Sequence, residues 1–125
     1  MQNLSLLASR VLIAHIFILA AGPTVLDASG RAGYMASVGL PGVLALPSAL
    51  FELGAALCVL AGFQTRFASW ALAGFCLVVG YVFHFRPDDP MQMLLFMKDF
   101  AMAGGLLALA AAGAGGLSLD AKLTK

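Results

Sequence analysis

The sequence predicts an all-α integral membrane protein, a four-helix transmembrane bundle with a short interfacial helix between helices 1 and 2. Of the 125 residues, 62% are hydrophobic and 10% are charged, and the mean hydropathy is +0.97. An ordinary soluble domain is about a quarter charged, and a soluble chain of this size leaves roughly a third of its unfolded surface in water. The solvent is therefore predicted to be lipid. The apolar residues also fall into four stretches of about 20 residues, the helix length that crosses the hydrocarbon.

The four predicted spans are residues 4–26, 44–63, 67–85 and 92–112, in a single domain covering residues 1–125. A chain in lipid must satisfy its backbone hydrogen bonds internally, and these stretches lack the alternating pattern of barrel strands. Each stretch is therefore expected to be a helix. Residues 113–125 follow as a glycine-rich stop and a polar tail.

The connectors differ in character. Residues 27–43 contain four glycines, and within RAGYMASVGLP the residues Tyr34, Met35 and Val38 have helical spacing. This spacing predicts a short amphipathic helix at the membrane interface. Residues 64–66 form a tight polar turn, and the RPDDP loop after the third span has two prolines that prevent a continuous helix.

The distribution of positive charge predicts the orientation. With the N-terminus inside, the cytoplasmic side carries Arg10, Arg66, Lys122 and Lys125, and the opposite side carries Arg31 and Arg86. Because Lys and Arg are enriched in cytoplasmic loops, this asymmetry favours an N-in, C-in topology. The net charge of +1 with no basic run argues against nucleic acid as a partner, and the lipid bilayer is the expected environment.

Small residues recur at four-residue spacing in the fourth span, at Gly104, Ala108 and Ala112. Such faces let helix backbones approach closely in lipid. Packing within one bundle and the seam of a homo-oligomer both fit this pattern, and both stay open.

Polar residues within or beside the spans are the candidate pocket residues. They are His15, Glu52, His84, Gln92, Lys98 and Asp99. A charged side chain at a helix centre costs roughly 2.5–3.5 kcal/mol on insertion scales, so such residues persist where they pair or line a pathway. The helical rise of about 1.5 Å per residue places Glu52, Lys98 and Asp99 at similar depths in the outer half of the membrane.

This shared depth predicts an ion pair between Glu52 and Lys98. It also predicts one outward-facing pocket lined by these residues with His84 and Asp99, with Gln92 and the RPDDP loop at its mouth. A purely structural pair that fixes helix register is the alternative. His15 has mostly apolar neighbours and is either a satisfied core histidine or a further ligand. Neither zinc-ligand spacing nor a nucleophile–base pair occurs, so no metal or catalytic residue is assigned.

Five motifs occur in order along the chain: YMASVGLP, ELGAALCVLAGFQTRFA, the pair Phe83 and His84, FMKDFAMAGG and GLSLD. In these motifs, with their order and spacing, the chain resembles the DoxX family of small bacterial inner-membrane proteins. The resemblance implies four helices and a bacterial cytoplasmic-membrane location. The motif positions that carry over are Glu52, Arg66, His84, Gln92 and Lys98, with Arg66 taken as structural.

Two departures from the family pattern bear on the pocket. Thr24 stands where members often have a lysine, and Asp99 stands where many have asparagine. A lost cation and a gained anion make the pocket less positive, which argues against anion binding.

The family's name derives from membrane subunits of a thiosulfate:quinone oxidoreductase, and other members resemble accessory proteins of redox or metal-handling complexes. The resemblance therefore implies an accessory or binding component, with a quinone or a segment of another membrane or periplasmic protein in the pocket. The alternative is a quinone-linked oxidoreductase subunit. An oxidoreductase of this kind needs a bound redox centre, and the sequence assigns none. Whether the chain is an enzyme therefore stays open.

Overall fold

The computed structural model describes residues 1–124, and every regular element in this range is helical. The helices are α1 (Gln2–Leu26), α2 (Ser29–Ser37), α3 (Ala45–Ala61), α4 (Thr65–Val79), α5 (Pro90–Ala112) and α6 (Leu119–Leu123). A 3-10 turn, Gly42–Leu44, leads into α3, and a π-helical turn, Gly80–His84, extends α4.

The predicted all-α membrane fold is confirmed. Within residues 1–124, four helical segments are long and apolar enough to cross a membrane: Gln2–Leu26, Gly42–Ala61, Thr65–His84 and Pro90–Ala112. Their ends differ from the predicted ones by at most two residues. Large apolar side chains such as Leu19, Phe67 and Val78 are exposed on the outside of the bundle, where lipid would cover them.

Local sequence signals set the ends of the helices. Pro90 occupies the first turn of α5, and the Asp89 carboxylate accepts hydrogen bonds from the Met91 and Gln92 backbone N–H groups. A proline and an acidic cap are both favourable at a helix N-terminus. At the end of α3 the backbone of Gly62 is left-handed (φ 74°), a conformation that glycine adopts without steric penalty.

The bundle packs as two helix pairs, α1 with α3 and α4 with α5, joined by contacts between α3 and α4. The buried core is built mainly from small side chains around a few large ones: Ala14, Phe17, Ala56, Val59, Ala68, Leu72, Ala73, Ala103 and Leu106. Small residues allow close backbone approach, which drives helix association in lipid.

Helix α2 is the predicted interfacial helix, and it folds over one end of the bundle. Met35 packs with Ala45 and Phe83, and the Tyr34 ring stacks on the Phe83 ring with 5.3 Å between centroids. We call this the pocket end, where α1 and α4 finish and α3 and α5 begin. The opposite end, which receives the C-terminal residues, is the tail end.

At the tail end α6 docks on the turn between α3 and α4. The Asp120 carboxylate accepts from the backbone N–H groups of Gln64 (2.7 Å) and Thr65 (3.0 Å), so it caps the start of α4 from a distant part of the chain. Burial raises the pKa of Asp120, but the Thr65 and Gln64 hydrogen bonds and the Arg10 guanidinium outweigh it. The pKa of Asp120 lies below its usual range.

Two arginines also make hydrogen bonds that join separate segments at the tail end. The fully buried Arg10 donates from Nη2 to the Leu117 carbonyl, and a Cβ at Gly62 would collide with its guanidinium. Arg66 donates from Nη1 to the carbonyls of Ala110 (2.8 Å) and Ala111 (2.6 Å), the last turn of α5. A cation at a helix C-terminus can donate hydrogen bonds to the free carbonyl groups of the last turn, and it interacts favourably with the helix dipole.

Candidate functional site

A cavity of about 250 Å³ lies at the pocket end, and all four spans and α2 contribute to its wall. Most of the wall is apolar, built from residues that include Ile16, Phe17, Tyr34, Met35, Phe75, Val79, Phe83 and Met102. Six side chains with strongly polar groups also line it: Arg31, Ser48, Glu52, His84, Lys98 and Asp99. A largely apolar cavity with a few convergent polar groups is typical of a small-molecule site.

Part of the cavity wall is an ion pair between Arg31 on α2 and Glu52 on α3. Arg31 Nη2 lies 2.9 Å from Glu52 Oε2, and Arg31 Nη1 donates to Ser48 Oγ at 3.3 Å. The Glu52 side chain is 5% exposed and that of Arg31 is 20% exposed. The pair therefore joins the interfacial helix to a spanning helix from inside the cavity.

The predicted ion pair between Glu52 and Lys98 is wrong. Within residues 1–124, the ion pairs closer than 4.0 Å are Arg31–Glu52 and His84–Asp99. Lys98 lines the same cavity but is exposed. Depth along a helix had suggested the pairing, but α2 folds over α3 and supplies a nearer cation.

His84 is held between two side chains of α5. Its Nδ1 lies 2.9 Å from Gln92 Oε1, and its Nε2 lies 3.8 Å from Asp99 Oδ2. The π-helical turn Gly80–His84 places the imidazole in this position, and single π turns inside helices are frequent at functional sites.

Asp99 is buried against α4, with 5% of its surface exposed. A Cβ at Gly80 would lie 3.2 Å from the Asp99 Cβ and 3.4 Å from its Oδ2, so the glycine makes room for this close approach. Asp99 Oδ2 is buried and, among the described residues, has no hydrogen-bond partner. The distance of 3.8 Å to His84 Nε2 exceeds the 2.7–3.2 Å of an ordinary N–H···O bond.

The structure brings together most of the residues that the sequence singled out. Glu52, His84, Lys98 and Asp99 line one cavity. Gln92 is not part of the wall and instead holds His84. The RPDDP loop contributes no residue to the wall.

His15 lies outside the cavity, so both expectations for it are wrong. It is exposed on the outer face of α1, with Nδ1 against the Leu12 carbonyl at 2.5 Å. The inward face of α1 carries Ala14, Phe17 and Ala21. Position 15 is rotated by about 100° from position 14, because a helix turns once in 3.6 residues.

Arg31 is the charged wall residue that the sequence analysis missed, since it was counted only as an outer positive charge, and the candidate residues also left out Ser48. Arg31 precedes Tyr34 and Met35 by three and four residues, the spacing that puts side chains on one helix face. The amphipathic pattern that predicted α2 therefore also contained the signal for Arg31. Within residues 1–124, no group of three or more His, Cys, Asp or Glu side chains is placed to hold a metal ion.

The fold and site define a class: a small four-helix membrane protein whose interfacial helix covers a largely apolar cavity with a few polar groups at one end of the bundle. The sequence profile of the DoxX family matches residues 5–85. The chain belongs to the DoxX family, which confirms the resemblance found in its motifs.

Two relatives from Escherichia coli (strain K12) are similar over nearly their whole lengths. Inner membrane protein YqjF is 34% identical over 125 residues, which cover 100% of this chain and 96% of the relative. Inner membrane protein YphA is 32% identical over 122 residues, 92% of this chain and 87% of the relative. No solved structure gives a significant match. Together with the four spans, these relatives support a multi-pass protein of the bacterial inner membrane.

Proposed function

We propose that this chain is a non-catalytic, accessory component of the inner membrane that binds a small, mostly apolar molecule with a polar head. The observation that carries this proposal is the cavity itself, with its apolar wall and its polar groups converging from α2, α3, α4 and α5. Ionisable groups kept inside a membrane are expensive, and they mark functional sites by default.

The size and lining of the cavity indicate a ring-sized head. Its volume of about 250 Å³ is just below the roughly 300–1,000 Å³ of sites for drug-sized ligands. The rings of Phe17, Phe75 and Phe83 offer apolar contacts, and Arg31 and Lys98 offer hydrogen-bond donors. A quinone-type headgroup, oxidised or reduced, is our leading candidate because it combines a flat apolar ring with oxygen atoms at its edge.

The orientation is part of the proposal, with the tail end in the cytoplasm and the cavity toward the periplasm. Arg10, Arg66 and Lys122 lie at the tail end, while Lys125 lies outside the described residues. At the pocket end, among the described residues, Arg31 is paired with Glu52 and Lys98 lies within α5, which leaves Arg86 as the loop cation outside an ion pair. The asymmetry in positive charge supports N-in, C-in.

Binding is tested with menadione, a soluble quinone headgroup, titrated calorimetrically into purified protein in detergent. Val79→Phe fills the cavity, because Val79 lines it, and should weaken binding at least about tenfold. Val78→Phe is the matched control, since Val78 is 62% exposed on the lipid-facing side of the same turn. Equal binding by both variants, or no binding by the unaltered chain, would contradict the proposal.

A further inference from the structure

One buried carboxylate oxygen in the cavity wall has no hydrogen-bond partner among the described residues. Asp99 Oδ2 is shielded from solvent and, in residues 1–124, accepts no hydrogen bond. Leaving such an acceptor unpaired exacts its full desolvation penalty, so buried unpaired atoms in native proteins call for a partner. Lys98, the neighbouring cation, is exposed and does not reach this oxygen within 4.0 Å.

The hydrogen bond to Gln92 determines what His84 presents to Asp99. Gln92 Oε1 has no hydrogen, so the proton of the 2.9 Å contact must be on His84 Nδ1. In the neutral imidazole, Nε2 is then an acceptor. Two acceptors, His84 Nε2 and Asp99 Oδ2, consequently face each other across 3.8 Å with no donor between them.

We propose that a hydroxyl group of the ligand supplies the missing donor, so that the cavity selects an aromatic alcohol such as a phenol or hydroquinone. This inference rests on the proposed function and names the ligand class for the same cavity. The hydroxyl hydrogen is donated to Asp99 Oδ2 or His84 Nε2, and the ring lies against the aromatic side chains Phe17, Phe75 and Phe83. A carbonyl oxygen would bring a third acceptor to this place, so a quinone such as menadione is expected to turn its oxygens toward the donors Arg31 and Lys98 instead.

The same two groups could instead share a proton as an imidazolium–carboxylate pair. In that case the pair is complete without a ligand, and a hydroxyl offers no advantage over an ether. The two arrangements therefore differ in selectivity between molecules of almost the same shape.

The test compares para-fluorophenol with para-fluoroanisole, its methyl ether, by fluorine NMR titration of the protein in detergent against empty micelles. The unaltered chain should bind the phenol at least about tenfold more tightly than the ether. In Asp99→Asn, which replaces one carboxylate oxygen with an NH₂ donor, this preference should disappear. Asp88→Asn, in the exposed loop, should keep it.

The comparison within the unaltered chain needs no variant, so misfolding of Asp99→Asn does not spoil the test. Equal affinity for the phenol and the ether overturns the hydroxyl inference and leaves the proposed binding function standing. Failure to bind either probe also overturns the inference. The binding function itself fails only when menadione, too, shows no binding that Val79→Phe weakens.

Discussion

Arg31 Nη2 lies 2.9 Å from Glu52 Oε2, and this contact fixes the interfacial helix α2 over the mouth of the bundle. Glu52 is nearly inaccessible, so its charge depends on this partner. Removing one partner of a buried pair leaves an uncompensated charge, whereas removing both is far milder.

The ion pair predicts non-additive stability changes. Arg31→Met should lower the free energy of unfolding by about 3–5 kcal/mol, and the double variant with Glu52→Gln should recover part of that loss. Denaturant unfolding in detergent measures both. Arg86→Met, an exposed arginine at the same end, is the control and should change stability by less than about 0.5 kcal/mol. Strictly additive losses would argue against the pair.

Gly80 tests the close approach of α4 and α5. In Gly80→Ala the new Cβ meets Asp99 at 3.2–3.4 Å, so the Asp99 side chain must shift by a few tenths of an ångström in a tightly packed contact, with an expected loss of about 1–3 kcal/mol. Gly74→Ala in the same helix is the control, because a Cβ there meets nothing within 4 Å and alanine is the better helix former. Equal effects of the two substitutions on thermal unfolding would contradict the described packing.

The Asp120 carboxylate in the tail is expected to stabilise the folded protein, and this stabilisation should be lost in acid. Asp120→Ala removes the cap of α4 and should destabilise the protein by about 0.5–2 kcal/mol near neutral pH. Because the folded-state pKa of Asp120 is lowered, its contribution is full above the ordinary aspartate pKa of about 4 and is lost as the pH falls through the folded pKa.

The stability difference between the unaltered chain and Asp120→Ala should therefore shrink below about pH 4. Asp88→Ala, in the exposed loop at the other end, should show no such pH-dependent difference. A difference that stays constant with pH would indicate that the Asp120 carboxylate does not cap α4.

The orientation is tested by cysteine labelling in spheroplasts with a membrane-impermeant maleimide. Asp88→Cys at the pocket end should react in intact spheroplasts, and Thr124→Cys in the tail should react only after lysis. The parent chain, with Cys58 and Cys76 in its helices, gives the background. Labelling of Thr124→Cys before lysis would contradict the N-in, C-in orientation.

The spans were predictable because each depends only on the number of consecutive apolar residues, a local property of the sequence. The break before the fourth span was equally local, because the prolines of the RPDDP loop prevent a continuous helix and Pro90 begins α5. The end of α3 was placed less well: the predicted span ran to residue 63, whereas the helix stops before Gly62. The existence of α2 followed from the spacing of Tyr34 and Met35.

The sequence predicted how deep in the membrane the site residues lie, but it did not predict which face of each helix carries them. Lys98 and Asp99 have nearly the same depth, yet one is exposed and the other is buried against Gly80. His15 lies on the exposed face of α1. The direction around each axis depends on which helices pack together, and the fold of α2 over α3, which brings in Arg31, is a tertiary feature.

The central claim, that the cavity holds a ligand, is tested most directly by native mass spectrometry of gently solubilised protein purified from its own membrane. The unaltered chain and Val78→Phe should each retain a bound small molecule. Val79→Phe, with its cavity filled, should be free of it. The absence of any bound molecule in the unaltered chain, or the same molecule on all three proteins, would contradict the account.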